Sequence, residues 1–153
     1  MKISTHLNLA EVTRSDSAKR HGIDNTPTPE HLENFKLLAE KVFEPIRLHF
    51  KEPIFISSGY RSKALNDFIG GSASSQHCKG QAIDIDMDGS KGGVTNKMVF
   101  DFIKSRLDFD QLIWEFGTDA NPDWVHVSYS KTGNRKQKLK AVRSGGKTTY
   151  LPI

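Results

Sequence analysis

Cysteine is nearly missing from this sequence. Cys78 stands alone among 153 residues, which excludes an internal disulfide framework and any cysteine-rich zinc cage. A metal would need imidazole and carboxylate ligands, so the search narrows to the six histidines and the acids near them. Also absent is any apolar run near the roughly 20 residues that a membrane helix requires. The N-terminus, Met1-Lys2-Ile3-Ser4-Thr5-His6, turns polar at once where a secretory signal carries a continuous apolar core. Synthesis in the cytoplasm without a signal peptide or membrane span is therefore expected. No internal repeat, low-complexity tract or long linker interrupts the chain, which favours a single domain over residues 1–153.

Acidic residues are missing from positions 131 to 147, where Lys131, Arg135, Lys136, Lys138, Lys140, Arg143 and Lys147 accumulate. They carry the whole of the net charge of +4 and leave the remainder near −3. Residues 131–153 read as a basic strand or tail, either steering the chain to a polyanion or simply solvated. Nucleic acid is not the expected partner, because no recognisable binding motif accompanies the charge.

What is present organises into helices and strands. Thr28-Pro29-Glu30 is a helix start, with Thr28 as cap and Pro29 at the first helical position. Leu32, Phe35, Leu38, Val42 and Ile46 follow at helical spacing, and Pro45 should kink or restart the helix. Residues 53–58 read as a short strand ending at Gly59, which leaves Tyr60 and Arg61 on a loop. A strand over 81–87 places Ile83, Ile85 and Met87 on one face, with Ala82, Asp84 and Asp86 on the other. Met98, Val99, Phe102 and Ile103 give a second amphipathic helix. Strands follow at 110–115 and 124–129, the latter with Val125 and Val127 on one face and Trp124, His126 and Ser128 on the other. Residues 139–142 add a last strand. The first 27 residues show no usable pattern. Two main helices among several strands, without regular alternation, argue for an α+β fold with a small antiparallel sheet.

The informative segment is Ser75-Gln76-His77-Cys78-Lys79-Gly80-Gln81-Ala82-Ile83-Asp84, of the form S-x-H-x-x-G-x-A-x-D. A histidine before a glycine turn and a carboxylate on the strand after it can converge, because the turn folds the chain back. His126, on the polar face of another strand, would complete the set. Two neutral imidazoles and one carboxylate form a three-ligand zinc site with a fourth position for water, the catalytic rather than structural pattern.

At these residues the sequence resembles the zinc D-alanyl-D-alanine carboxypeptidase family, which includes phage endolysins and wall peptidases sharing a core with the hedgehog signalling domain. The resemblance spans nearly the whole chain. It is carried by Ser57-Ser58-Gly59-Tyr60-Arg61-Ser62, by the S-x-H-x-x-G-x-A-x-D segment, and by Asp123-Trp124-Val125-His126, in the family's order. It implies a monomeric hydrolase that cuts peptidoglycan stem peptides, as carboxypeptidase or endopeptidase, with Zn2+ held by His77, Asp84 and His126. Arg61 would hold a substrate carboxylate or carbonyl and Ser75 would help position the substrate, with Tyr60 and Trp124 beside it in the cleft. Many members carry glutamate three residues before the last ligand, whereas this chain has Asp123. Asp123 is the preferred general base if it belongs to the turn after Pro122, and Glu115 is the rival. A phage or prophage lysis enzyme would fit the polar N-terminus.

Other signals are weaker. Asp84, Asp86, Asp88 and Gly89 mimic the opening of a calcium loop, but Thr95 stands where a bidentate glutamate is needed. Asp86 is expected behind a ligand or in water. Cys78 reads as a small buried apolar residue, and His6, His21, His31 and His49 as surface or capping residues. The rival from another class is a non-catalytic wall-binding module that keeps zinc for structure.

Overall fold

The unpatterned N-terminus turns out to be ordered. In the computed structural model, which describes residues 1–153, β1 (Lys2–Ser4) and β2 (Leu7–Asn8) form a small antiparallel pair. Two short helices follow, α1 (Leu9–Thr13) and α2 (Asp16–His21). Each has a side-chain cap: Asn8 accepts from the Glu11 N–H and Ser15 from the Ala18 N–H. These pieces are too short for periodicity to reveal, and single residues such as Val12 seat them on the core.

Helix α3 (Pro29–Leu38) starts as the sequence implies, with Thr28 Oγ1 accepting from the His31 N–H and Pro29 in the first turn. As expected, Pro45 restarts the helix, standing in the first turn of α4. The chain widens into a π-helical turn at Ala39–Phe43 and continues as α4 (Glu44–Phe50), so the ring and its missing N–H fall where the bonding pattern has already shifted. Phe35, Leu38, Val42 and Ile46 are buried, while Leu32 is only partly so.

Strand β3 (Ile56–Ser58) is shorter than the expected 53–58. After it comes α5 (Lys63–Ile69), capped by Ser62, which sequence patterning missed. Next are β4 (Ala82–Ile85), α6 (Asn96–Arg106), β5 (Gln111–Glu115), β6 (Trp124–Ser128), β7 (Gln137–Ser144) and β8 (Lys147–Pro152). The last two form a hairpin, so the basic tail supplies two strands rather than one. In α6 the buried stripe is Val99, Phe100 and Ile103. Met98 is exposed and Phe102 only half-buried, because the helix turns Phe100 edge-on to Trp114 at 5.2 Å.

Strands β3 to β8 make one sheet of order β3-β4-β6-β5-β7-β8. The expectation of a purely antiparallel sheet is corrected at one place, since β5 and β7 run parallel. The chain crosses from the end of β6 to the far side of β5 before starting β7, and that entry fixes the direction. One face is apolar: Ile83, Ile85, Leu112, Trp114, Val125 and Val127 meet the residues of α3, α4 and α6 in one core. Cross-strand partners share a face, so Ser58, Asp84, His126 and Ile113 form a row on the opposite side. The layered core thus leaves one sheet face free for polar chemistry.

Candidate metal centre

Three elements deliver three side chains to that free face. His77 comes from a single 3-10 turn, Gln76–Lys79, whose entry is capped by Ser75 Oγ accepting from the His77 N–H at 3.3 Å. The turn ends at Gly80, whose φ of +72° is left-handed and whose missing side chain makes room for the His31 carbonyl. Asp84 follows on β4, and its cross-strand partner on β6 is His126. The glycine turn therefore does what the motif spacing implies, folding the histidine back over the strand that bears the carboxylate.

The ligand atoms converge on one point. His77 Nε2 lies 3.3 Å and His126 Nδ1 3.1 Å from the same Asp84 Oδ1. The ligand atoms of the three residues all fall within 4.8 Å of one another. A tetrahedral zinc with bonds of about 2.0–2.1 Å has ligand-to-ligand edges of roughly 3.3–3.4 Å, so these separations fit. Proton placement points the same way. His77 Nδ1 donates to the Gly59 carbonyl at 2.7 Å, which fixes the tautomer and turns the Nε2 lone pair toward a carboxylate oxygen. Two acceptors facing each other repel unless a cation stands between them. His77 is 2% exposed and His126 is 8% exposed, and His126 Nε2 is buried without a partner. A purely structural polar cluster would satisfy such an atom, because leaving it unpaired costs about 1–3 kcal/mol. Burial opposes ionisation of Asp84, but positive charge at the two imidazole positions outweighs it and holds the carboxyl well below the ordinary range, and a bound cation would act with the same sign. A negative oxygen between two imidazoles is the donor set a divalent ion takes.

The remaining expected residues take distinct places. Glu115 is the cross-strand partner of Trp124 and shares the face of Ile113, which pairs with His126. It is 8% exposed, and burial followed by the Asp84 charge pushes its carboxyl up to about 7. Asp123 does belong to the turn before β6. It is exposed, its N–H donates to the Glu115 carbonyl at 2.9 Å, and it lines a separate groove with Phe116, Trp124 and Arg143. Arg61 reaches Ser75 Oγ at 3.4 Å through one terminal nitrogen, and its Nε is buried and unpartnered. It opens onto a cavity of about 530 Å³ that Ser57 and Ser58 also line. Tyr60 lines the same cavity but is 5% exposed, its ring packed on Phe35 and His31.

Residues 5–128 match the family model described as Peptidase M15. The chain belongs to that family. M15 peptidases are metal-dependent, in keeping with the His77, Asp84 and His126 cluster. No curated protein gives a significant match.

Several residues that hold this M15 peptidase site together were not apparent in the sequence. Asn25 donates to the Tyr60 carbonyl and accepts from the Ser62 N–H, clamping the loop that bears Arg61. Asp110, buried on the approach to β5, receives two bonds from the Arg135 guanidinium and one from Gln76, next to His77. Asn96 ties the turn after β4 to the turn before β6. Each acts through hydrogen bonds between distant segments, which leave no local signature. Cys78 is partly rather than fully buried and stands outside the ligand cluster. Asp86 accepts from Asn96 and from the Asp88 N–H, and takes no part in the cluster. His6 pairs with Glu44, His21 and His49 pack on phenylalanines, and His31 caps α3.

Proposed function

We propose that this chain is a zinc peptidase that hydrolyses peptide bonds in peptidoglycan stem peptides, as a carboxypeptidase or an endolysin-type endopeptidase. The observation that carries the reading is the convergence of His77 Nε2 and His126 Nδ1 on one Asp84 oxygen, inside a chain of the M15 family. His77, Asp84 and His126 would hold the zinc, which when bound supplies a Lewis acid for the scissile carbonyl and lowers the pKa of water. Arg61, with one nitrogen on Ser75 and another free, would grip a substrate carboxylate or carbonyl through its planar fork.

A general base must take a proton from the attacking water and return one to the leaving amine. Glu115 is the reading that the geometry supports better. It lies on the ligand face, is buried, and has a carboxyl near 7, suited to carrying a proton either way at neutral pH. Asp123 is exposed and opens onto the neighbouring groove. Trp124 would wall the cleft beside Glu115.

Replacing His77 by alanine is expected to remove zinc and hydrolysis together. Metal analysis of the purified variant, with mass spectrometry of digested muropeptides, checks both. Wild-type digestion rates from a zinc-free variant would sink the proposal. A wild type that binds zinc and wall material but cuts nothing would mark a binding module instead.

A further inference from the structure

The family match ends at residue 128, the last of β6, yet the sheet does not. Strands β7 and β8 continue it, and their register carries them onto the ligand face. Trp124 pairs with Glu115, Glu115 with Ala141, and Ala141 with Tyr150, so these four side chains form a row beside the row of Asp84, His126 and Ile113. Tyr150, paired with Ala141, ends that row and is about half exposed. Beyond Glu115 the strands diverge. β5 stops, Phe116 and Gly117 turn away with left-handed φ values, and β7 runs on through Val142 and Arg143.

The gap so formed is a groove of about 450 Å³, whose lining includes Phe116, Asp123, Trp124, Lys140, Val142 and Arg143. Its cation is unspent. Arg135 and Lys140 of the same segment are held by Asp110 and Asp119, whereas Arg143 has no carboxylate partner and lies over the Phe116 ring at 4.7 Å. Stacking fixes the plane of a guanidinium while leaving its edge free to donate. The Trp124 indole N–H is buried beside the carboxyl of Glu115, its cross-strand partner. On the other side of the ligands lies the Arg61 cavity. Two hollows therefore flank the metal ligands across the sheet, the arrangement an extended chain needs on both sides of a scissile bond.

We propose that the β7–β8 hairpin forms a second wall of the cleft and binds the carboxylate-bearing flank of an extended peptide substrate, with Arg143 as the anion contact and Trp124 and Tyr150 as aromatic walls. The proposal rests on the peptidase reading above and names the substrate's chemistry on the side away from Arg61. A groove of mixed lining whose one free cation is oriented over an aromatic ring selects a peptide that is acidic at one position. Diffuse attraction of the basic tail to a polymer would not require the orientation.

Two synthetic stem peptides, identical except that one carboxylate remote from the scissile bond is a carboxamide, test this on the zinc-loaded full chain. Binding is read from the Trp124 indole resonance in a Glu115→Gln background that prevents turnover, and KM and kcat are read in the otherwise native chain. The acid peptide is expected to bind about fivefold more tightly and to show a correspondingly lower KM, the scale of one exposed to half-buried ion pair. Arg143→Gln should abolish the preference, and Lys131→Gln, outside the groove, should leave both the preference and kcat intact. Persistence of the preference in Arg143→Gln, equal loss in Lys131→Gln, no preference in the wild type, or no movement of the Trp124 resonance overturns the inference. Hydrolysis of both peptides without discrimination removes this site alone. Discrimination without hydrolysis removes the peptidase reading alone.

Discussion

Glu115 occupies a position that a carboxylate takes only for a reason. It is nearly fully buried, faces the Asp84 charge, and has no lysine or arginine in ion-pair contact. Such a group holds its proton more tightly in the folded chain, near 7, than at its ordinary value of 4.5. Between those values the folded state binds more protons than the unfolded state. In the metal-free protein its contribution to stability is therefore full below about pH 4.5 and is lost as pH rises through about 7. Glu115→Gln should flatten that slope, as thermal melts in chelator across about pH 5 to 8 would record. The same substitution should lower kcat of the zinc-loaded chain by about 10²- to 10⁴-fold with zinc content unchanged, while Asp123→Asn stays within about threefold. The reverse ranking would make Asp123 the base. Sequence patterning placed both acids near the last ligand, but only strand register tells which one shares its face.

At the scale of elements, the site depends on how β4, α6 and β6 are joined. Asn96, in the first turn of α6 and 2% exposed, accepts from the Met87 N–H at 2.6 Å and donates to the Pro122 and Asp123 carbonyls at 3.2 and 3.0 Å. One amide thus links the end of the Asp84 strand to the start of the His126 strand. Asn96→Ala strands a buried donor and two acceptors, and should cost about 2–4 kcal/mol. Calorimetry should then show a midpoint lower by roughly 4–16 °C, given about 2–4 °C per kcal/mol at this chain length. A change under 2 °C would mean that the amide only decorates the turn. Helices α3 and α6 were legible because caps and 3.6-residue spacing announce them. The β7–β8 hairpin was legible only in part: Gly145-Gly146, both with positive φ, is a strong two-residue hairpin turn. The exposed, lysine-rich strands around it lack the apolar alternation that marks a half-buried sheet.

Across the whole molecule, the ligands tie the edge of the sheet to its centre. His77 belongs to the turn before β4, and its backbone carbonyl receives the Arg61 N–H. Asp84 and His126 belong to paired strands. An ion held there binds the folded chain and not the unfolded one, and stabilises it by about 4 kcal/mol at a concentration 1,000-fold above its dissociation constant. Chelation should therefore lower the melting midpoint by roughly 8–16 °C, and His77→Ala should show no response to chelator. An equal response in both proteins would place the stabilising ion elsewhere.

The types of the candidate ligands and their order along the chain were legible in the sequence alone. With one cysteine, a metal site had to come from histidine and carboxylate, and a glycine turn between His77 and Asp84 permits only a short reach between them. Strand periodicity likewise put Asp84 and His126 on polar faces, because side chains alternate whatever the partner strand. The tertiary structure decided which polar faces are the same face. Pairing of β4 with β6 brought Asp84 opposite His126, pairing of β5 with β6 brought Glu115 alongside, and the parallel entry of β7 added a basic hairpin to the sheet. Strand order and register arise from contacts between segments far apart in the chain, and a one-residue slip would turn every one of these groups to the opposite side.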